Sequence, residues 1–287
     1  RSTLFPYTTL FRSASIIALA LTAFIFLPTS ASAQDEFEEA SAQDEFVEVI
    51  EDNEFEATVS ADFVSRYMWR GADQAGPSFQ PALNLAWKGL SLNVAGSTPL
   101  EKDGGIQDID ITLGYSLFGV NIGVIDYWTA DVDSRNRYFY FGGEMECPHQ
   151  LEANLGYTCK YGSLQAYTMF YGNDYKIDGS RAYSTYIELS VPFRLGGLDW
   201  DVRAGITPME SAGTTYEEKV VTASGKMKTY TRGDWLYGES FTCNMASVRA
   251  TKNLVFKYFK VPVYVELHTN PYLQRANLVL GVSISSL

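Results

Sequence analysis

From Glu56 onward the chain repeats one pattern: apolar and polar residues alternate strictly over stretches of roughly ten residues, the length of a membrane-crossing strand. In Leu198-Asp-Trp-Asp-Val-Arg-Ala-Gly-Ile206, the residues Leu198, Trp200, Val202, Ala204 and Ile206 share one face, and Asp199, Asp201, Arg203 and Gly205 share the other. In Ile109-Asp-Ile-Thr-Leu-Gly-Tyr-Ser-Leu117 the same division sets Ile109, Ile111, Leu113, Tyr115 and Leu117 against Asp110, Thr112, Gly114 and Ser116. A helix would scatter both sets around its axis, so these stretches are strands.

Twelve such strands can be placed, near 56–69, 78–88, 90–98, 106–117, 119–129, 150–160, 163–173, 181–193, 197–208, 241–252, 260–269 and 274–285. The connections alternate in length. Lys88-Gly89, Phe118-Gly119, Tyr161-Gly162 and Arg194-Leu-Gly-Gly197 are tight, whereas Ala130 to His149 and Pro208 to Ser240 are long. Short turns at one end, long loops at the other and an even strand number predict an all-β fold, an antiparallel transmembrane β-barrel of about twelve strands. A soluble sandwich of two large sheets is the competing architecture, since it also alternates. Tyr67, Trp69, Phe79, Trp87, Tyr115, Trp128, Tyr183, Phe193 and Trp200 fall near the ends of the outward faces, where a barrel carries its aromatic girdles.

The first 55 residues read differently. Thr3 to Ser13 is the in-frame translation of a common sequencing-library adapter, so residues 1–13 are set aside as an artefact. Residues 14–33 read as a signal peptide: an apolar run from Ile16 to Leu27, the breaker Pro28, and Ala31-Ser32-Ala33 before Gln34 as the cleavage site. Residues 34–55 hold many acidic side chains and no basic one, with Ala31 to Phe37 repeated as Ala40 to Phe46, and are expected to be a disordered leader. The barrel then occupies residues 56–287. Export of this kind places it in the outer membrane of a Gram-negative cell, among outer-membrane lipid, lipopolysaccharide and the barrel assembly machinery.

Beyond the signal segment no run approaches 18 apolar residues, which excludes a helical membrane protein. A net charge of −12 argues against a nucleic-acid partner. Cys147, Cys159 and Cys243 allow at most one disulfide and have no metal-ligand spacing, and no cofactor motif is present.

Ser60-Ala-Asp-Phe-Val-Ser-Arg-Tyr-Met-Trp-Arg-Gly71, then Pro77-Ser-Phe-Gln-Pro81 and Ala95-Gly-Ser97, resemble the opening of the TorF-type porins. In that family a first strand ending in Tyr-x-Trp-Arg-Gly leads to a second with a Gln near its start. Arg181-Ala-Tyr-Ser-Thr-Tyr-Ile-Glu188 and Thr269-Asn-Pro-Tyr272 are also similar to its members. The resemblance implies an outer-membrane barrel, and a channel through it. The C-terminal Ser-Ser-Leu287 departs from the aromatic with which a barrel's last strand normally ends.

If the apolar faces meet lipid, the polar faces line the lumen, because each charge left in the bilayer midplane would cost about 2–4 kcal/mol. The lumen set is Asp62, Arg66 and Arg70 on the first segment, Gln80 and Asn84 on the second, and Asp108 and Asp110 on the fourth. It continues with Glu152 on the sixth, Glu188 on the eighth, Asp199, Asp201 and Arg203 on the ninth, Arg249 on the tenth, and Glu266 and His268 on the eleventh. Two roles are open to it. It lines a narrow passive channel for small polar solutes, or its arginines pair with its carboxylates and close a structural or adhesive barrel. Arg66 and Arg70 carry the same choice: a basic ring that attracts anions, or a salt-bridge lock to Asp62 and a neighbouring carboxylate. A hydrolase is the third class. It lacks a G-x-S-x-G elbow, and the only histidines are His149 in an expected loop and His268 on an inward face. No catalytic residue is expected.

Overall fold

A two-residue turn with both central residues at positive φ matches the right-handed twist of the strands it joins. Phe118 and Gly119, at φ 50° and 80°, form such a turn, and it fixes the register of the two strands beside it. In a computed structural model this chemistry closes one sheet on itself. The structure describes residues 55–101, 105–131, 138–141, 147–221, 227–257 and 259–285. Residues 1–54, with the adapter, the signal peptide and nearly all of the acidic leader, lie outside the described residues.

The strands are β1 (Glu56–Val64), β2 (Tyr67–Trp69), β3 (Ala72–Ala75), β4 (Ser78–Trp87), β5 (Leu90–Pro99), β6 (Ile106–Leu117), β7 (Val120–Asp131) and β8 (His149–Cys159). They continue with β9 (Gly162–Tyr171), β10 (Thr185–Leu195), β11 (Leu198–Thr207), β12 (Gly213–Val221), β13 (Met227–Trp235), β14 (Thr242–Val255), β15 (Lys260–Asn270) and β16 (Arg275–Ser285). Twelve of them form a closed antiparallel barrel in the order β1-β16-β15-β14-β11-β10-β9-β8-β7-β6-β5-β4, with β4 returning to β1. No helix of the described residues is long and apolar enough to cross a membrane. The all-β, twelve-stranded closed barrel expected from the alternation is the fold observed.

Two pairs of strands stand outside the wall. The expected first strand, 56–69, stops at Val64; Tyr67–Trp69 turns away and pairs with Ala72–Ala75 as a small separate hairpin. The long connection after β11 contains a second hairpin, β12–β13. The remaining strands lie within a few residues of the expected spans. The tight turns gather at the end holding Glu56, and the hairpins and long connections gather at the other.

The outward face is apolar all around the barrel. Val59, Leu113, Ile122, Leu155, Leu278 and Leu280 are each at least half exposed. An uninterrupted exposed belt of this kind is stable only against lipid or another apolar surface. Trp87, Tyr115, Phe193 and Trp200 stand at its tight-turn edge, with Phe193 and Trp200 stacked at 6.1 Å. The girdle expectation is corrected at three positions. Tyr67 and Trp69 left the wall with β2 and lie inside the lumen, and Trp128 is buried beneath Tyr138.

Two clusters of buried apolar side chains lie inside the barrel. Val64, Tyr264 and Val279 form one cluster, joined by Met68 of β2. Tyr186, Tyr237 and Met245 form another, joined by Trp69 and Tyr167. Inward glycines make room for these rings. A Cβ on Gly281 would overlap the ring of Tyr264, its partner across β15 and β16.

Candidate functional site

The β2–β3 hairpin folds into the bore. Its turn is Arg70-Gly71, at φ 47° and 85°, the geometry of a type I′ turn. A side chain at position 71 would collide with the Asn244 carbonyl, so only glycine passes there. The Gly71 N–H donates to His268 Nε2 at 3.1 Å, and Asn270 Nδ2 donates to the Gly71 carbonyl at 3.3 Å. Asn244 Nδ2 donates to the Arg70 carbonyl at 3.4 Å. The turn is thus bonded to β14 and β15, and its next side chain, Arg70, points across to the opposite wall.

There Arg70 meets a cage. Its two terminal nitrogens donate to the two carboxylate oxygens of Glu152, each at 2.7 Å. Nη1 also donates to the Tyr237 hydroxyl at 2.6 Å and Nη2 to the Tyr127 hydroxyl at 3.3 Å. The Tyr127 hydroxyl in turn donates to Glu152 Oε2 at 2.8 Å. The guanidinium carbon lies 4.3 Å from the centre of the Tyr167 ring and 4.7 Å from those of Tyr186 and Trp69. The Glu152 side chain is wholly buried and that of Arg70 is 8% exposed. A desolvated cation over an aromatic face gains about 2 kcal/mol, and the fork-to-fork ion pair satisfies the charge that burial would otherwise penalise.

Tyr237 is delivered by stitched outer loops. Ser184 Oγ donates to buried Asp174 at 2.5 Å and accepts from the Ala212 N–H at 2.7 Å. Ser211 Oγ accepts from the N–H groups of Tyr237 and Gly238, at 3.0 and 3.1 Å. These bonds tie the segments before β10, before β12 and after β13 into one lid edge.

A second network lies across the bore. Glu266 accepts from Arg203 at 2.9 Å and from Arg249 at 2.7 Å. His268 Nδ1 lies 2.9 Å from Glu266. With Nε2 accepting from the Gly71 N–H, Nδ1 is left to donate to Glu266. Between the two networks is a cavity of about 310 Å³, lined among others by Arg66, Gln80, Glu188, Arg203, Arg249 and Glu266. At about 30 Å³ per water, it has room for roughly ten.

The remaining lumen candidates are dispersed along the bore. Asp62 sits across from Gln80 in the β1–β4 register, and Gln80 donates to Ser97 at 3.2 Å. Asp108 accepts from Tyr67 at 2.6 Å, and Asp110 is its neighbour on the same face. Glu188 accepts from Tyr186 at 2.7 Å. Asn84, Asp199 and Asp201 lie toward the tight-turn end, where Asn84 accepts from Asn93, Asp199 from Asn253, and Asp201 from Ser190.

Arg66 and Arg70 require correction. They are not on the first wall strand but on the infolded hairpin, because the chain leaves the wall after Val64. Neither pairs with Asp62: Arg66 binds Asp73 within the hairpin, and Arg70 binds Glu152 across the bore. The cage tyrosines were not singled out from the sequence. Alternation alone marks Tyr127, Tyr167 and Tyr186 as inward, but nothing local shows that three strands aim them at one point.

His149 is not in a loop; it opens β8 and faces outward. Its Nδ1 lies 3.0 Å from both oxygens of Asp126, and its Nε2 donates to the Tyr138 carbonyl at 2.6 Å. Both ring nitrogens are occupied, so neither is free to serve a hydroxyl nucleophile. The three cysteines form no disulfide.

No family model and no curated protein matches the chain. Among solved structures, a membrane protein from work on in-meso crystallization is similar over 80% of this chain and 83% of its own, at 8% identity and TM-score 0.39. Salmonella typhi OmpF, in complex with daunomycin, is similar over 82% of this chain and 98% of its own, at 8% identity and TM-score 0.33. Pseudomonas aeruginosa OccK1 (OpdK) is similar over 81% and 98%, at 9% identity and TM-score 0.31. Likeness at this level says nothing of activity.

Proposed function

We propose that the chain is an outer-membrane β-barrel that forms a narrow passive channel for small polar solutes, with the infolded β2–β3 hairpin as its constriction. The observation that carries this reading is the division of the wall: apolar side chains all around the outside, ionisable ones inside, and a cavity of about 310 Å³ among the latter. Charge of that density inside a barrel is stable only in contact with water or with its own counter-charges. The motif resemblance to the TorF-type porins supports the same reading. The second reading, a closed barrel that displays its outer loops, is favoured by the fully buried Arg70–Glu152 pair.

Planar-bilayer conductance decides between them. The folded protein gives small discrete steps, and replacing Arg66–Gly76 by Asn-Gly, which leaves Val64 and Ser78 facing each other, enlarges them severalfold. Silence from both proteins, each shown to be folded by its heat-modifiable migration, would overturn the channel.

A further inference from the structure

Apart from Trp69, every group around the Arg70 guanidinium belongs to the wall or to an outer loop. Tyr127 stands on β7, Glu152 on β8, Tyr167 on β9 and Tyr186 on β10, and Tyr237 follows β13. Four neighbouring strands and one loop therefore converge on a single planar cation supplied from elsewhere in the chain. The hairpin that supplies it is held to the wall by side chains rather than by strand pairing. Among the described residues β2 and β3 pair only with each other, and one isolated bridge, Ala75 to Gly105, joins them to another part of the backbone ladder. Arg70 can leave without breaking any ladder bond between wall strands.

We propose that Tyr127, Glu152, Tyr167, Tyr186 and Tyr237 are a guanidinium-recognition site of the barrel, occupied in this conformation by the protein's own Arg70, and that a guanidinium-bearing solute takes that place when the hairpin withdraws. The geometry is specific to this group. Two carboxylate oxygens meet two nitrogens at 2.7 Å, and ring faces lie 4.3 and 4.7 Å from the central carbon. An ammonium ion has no fork to match the carboxylate and no plane to lie on the rings. An anion is repelled by Glu152. Arg70 is a tethered competitor whose effective concentration is of millimolar order or above, so the free solute binds only as the hairpin's withdrawn population allows. The solute's route to the site rests on the channel reading; the site itself does not.

Chemical rescue tests it without any conductance. Arg70→Ala in the full chain empties the cage and lowers the barrel's unfolding midpoint. n-Propylguanidinium, which carries the whole arginine side chain including its Cβ, raises that midpoint saturably at millimolar concentration. n-Butylammonium requires at least tenfold more, and Arg70→Ala/Glu152→Gln shows no saturable rescue by either. If Arg70→Ala does not fold unaided, its refolding yield with and without n-propylguanidinium is read against the same criteria. No saturable effect of n-propylguanidinium, or equal effects of the two cations, overturns the proposal. A silent bilayer with positive rescue would refute the channel and leave the site standing.

Discussion

Glu152→Ala isolates the ion pair that spans the bore. The wild-type carboxylate is wholly buried and receives two bonds of 2.7 Å from Arg70 and one of 2.8 Å from Tyr127. With charge centres about 4 Å apart and an effective dielectric near 20, the attraction is about 4 kcal/mol. Leaving one member of a buried pair alone costs about 3–5 kcal/mol in proteins generally. The expected loss is therefore about 3–5 kcal/mol, up to a ceiling set by the hairpin, because Arg70 reaches water once β2–β3 swings out. Arg70→Ala/Glu152→Ala removes the stranded charge as well as the pair, so it is less destabilised than the two single losses summed, by about 1–3 kcal/mol. Urea unfolding in lipid vesicles, followed by tryptophan fluorescence in both directions, measures all three variants. A loss under about 1 kcal/mol for Glu152→Ala, or strict additivity in the double variant, would refute the pairing as the hairpin's anchor.

Gly71→Ala places a methyl against the Asn244 carbonyl at a positive φ; it releases the hairpin, raises bilayer conductance and exposes residues 66–75 to added protease in folded protein. Leu113→Arg puts a charge on the lipid face, where Leu113 is 60% exposed, and in vesicles it lowers stability by about 2–4 kcal/mol at midplane depth, whereas a barrel living in water would not notice the change. Glu266→Gln leaves Arg203 and Arg249 without their shared carboxylate; on the proposed channel reading the reversal potential in a salt gradient shifts toward anion preference, and an unchanged reversal potential would show that the cavity is off the conducting path.

Much of the wall was legible because alternation is enforced twice, by lipid outside and water or counter-charge inside. Each barrel strand from β4 onward follows that rule and lies within a few residues of its expected span. β1 misled because Tyr67 and Trp69 keep the period after the chain has left the sheet. The outward aromatic and the lumen-filling aromatic are the same residue types at the same spacing. Arg70-Gly71 is a two-residue turn signal, but a turn followed by only four residues of strand has no face long enough to read. The cage was illegible for another reason: Arg70 and Glu152 are 82 positions apart, and the register of the four intervening wall strands, β4 to β7, decides that they meet. β12–β13 hid in a polar connection whose alternation buries nothing.

The hairpin also has a mechanical consequence. Around the barrel β8 lies almost opposite β1. The chain leaving β1 at Val64 is fastened to β15 through His268 and Asn270, then to β8 through Arg70. It acts as a strut across the cross-section, resisting the flattening that lateral membrane pressure imposes on an empty cylinder. It also straddles the β1–β16 join, where the described pairing runs only from Ser60 to Val64 against Gly281 to Ser285. Among the described residues this is the shortest seam in the wall, and the strut bridges it, so sideways opening there requires the hairpin to let go first.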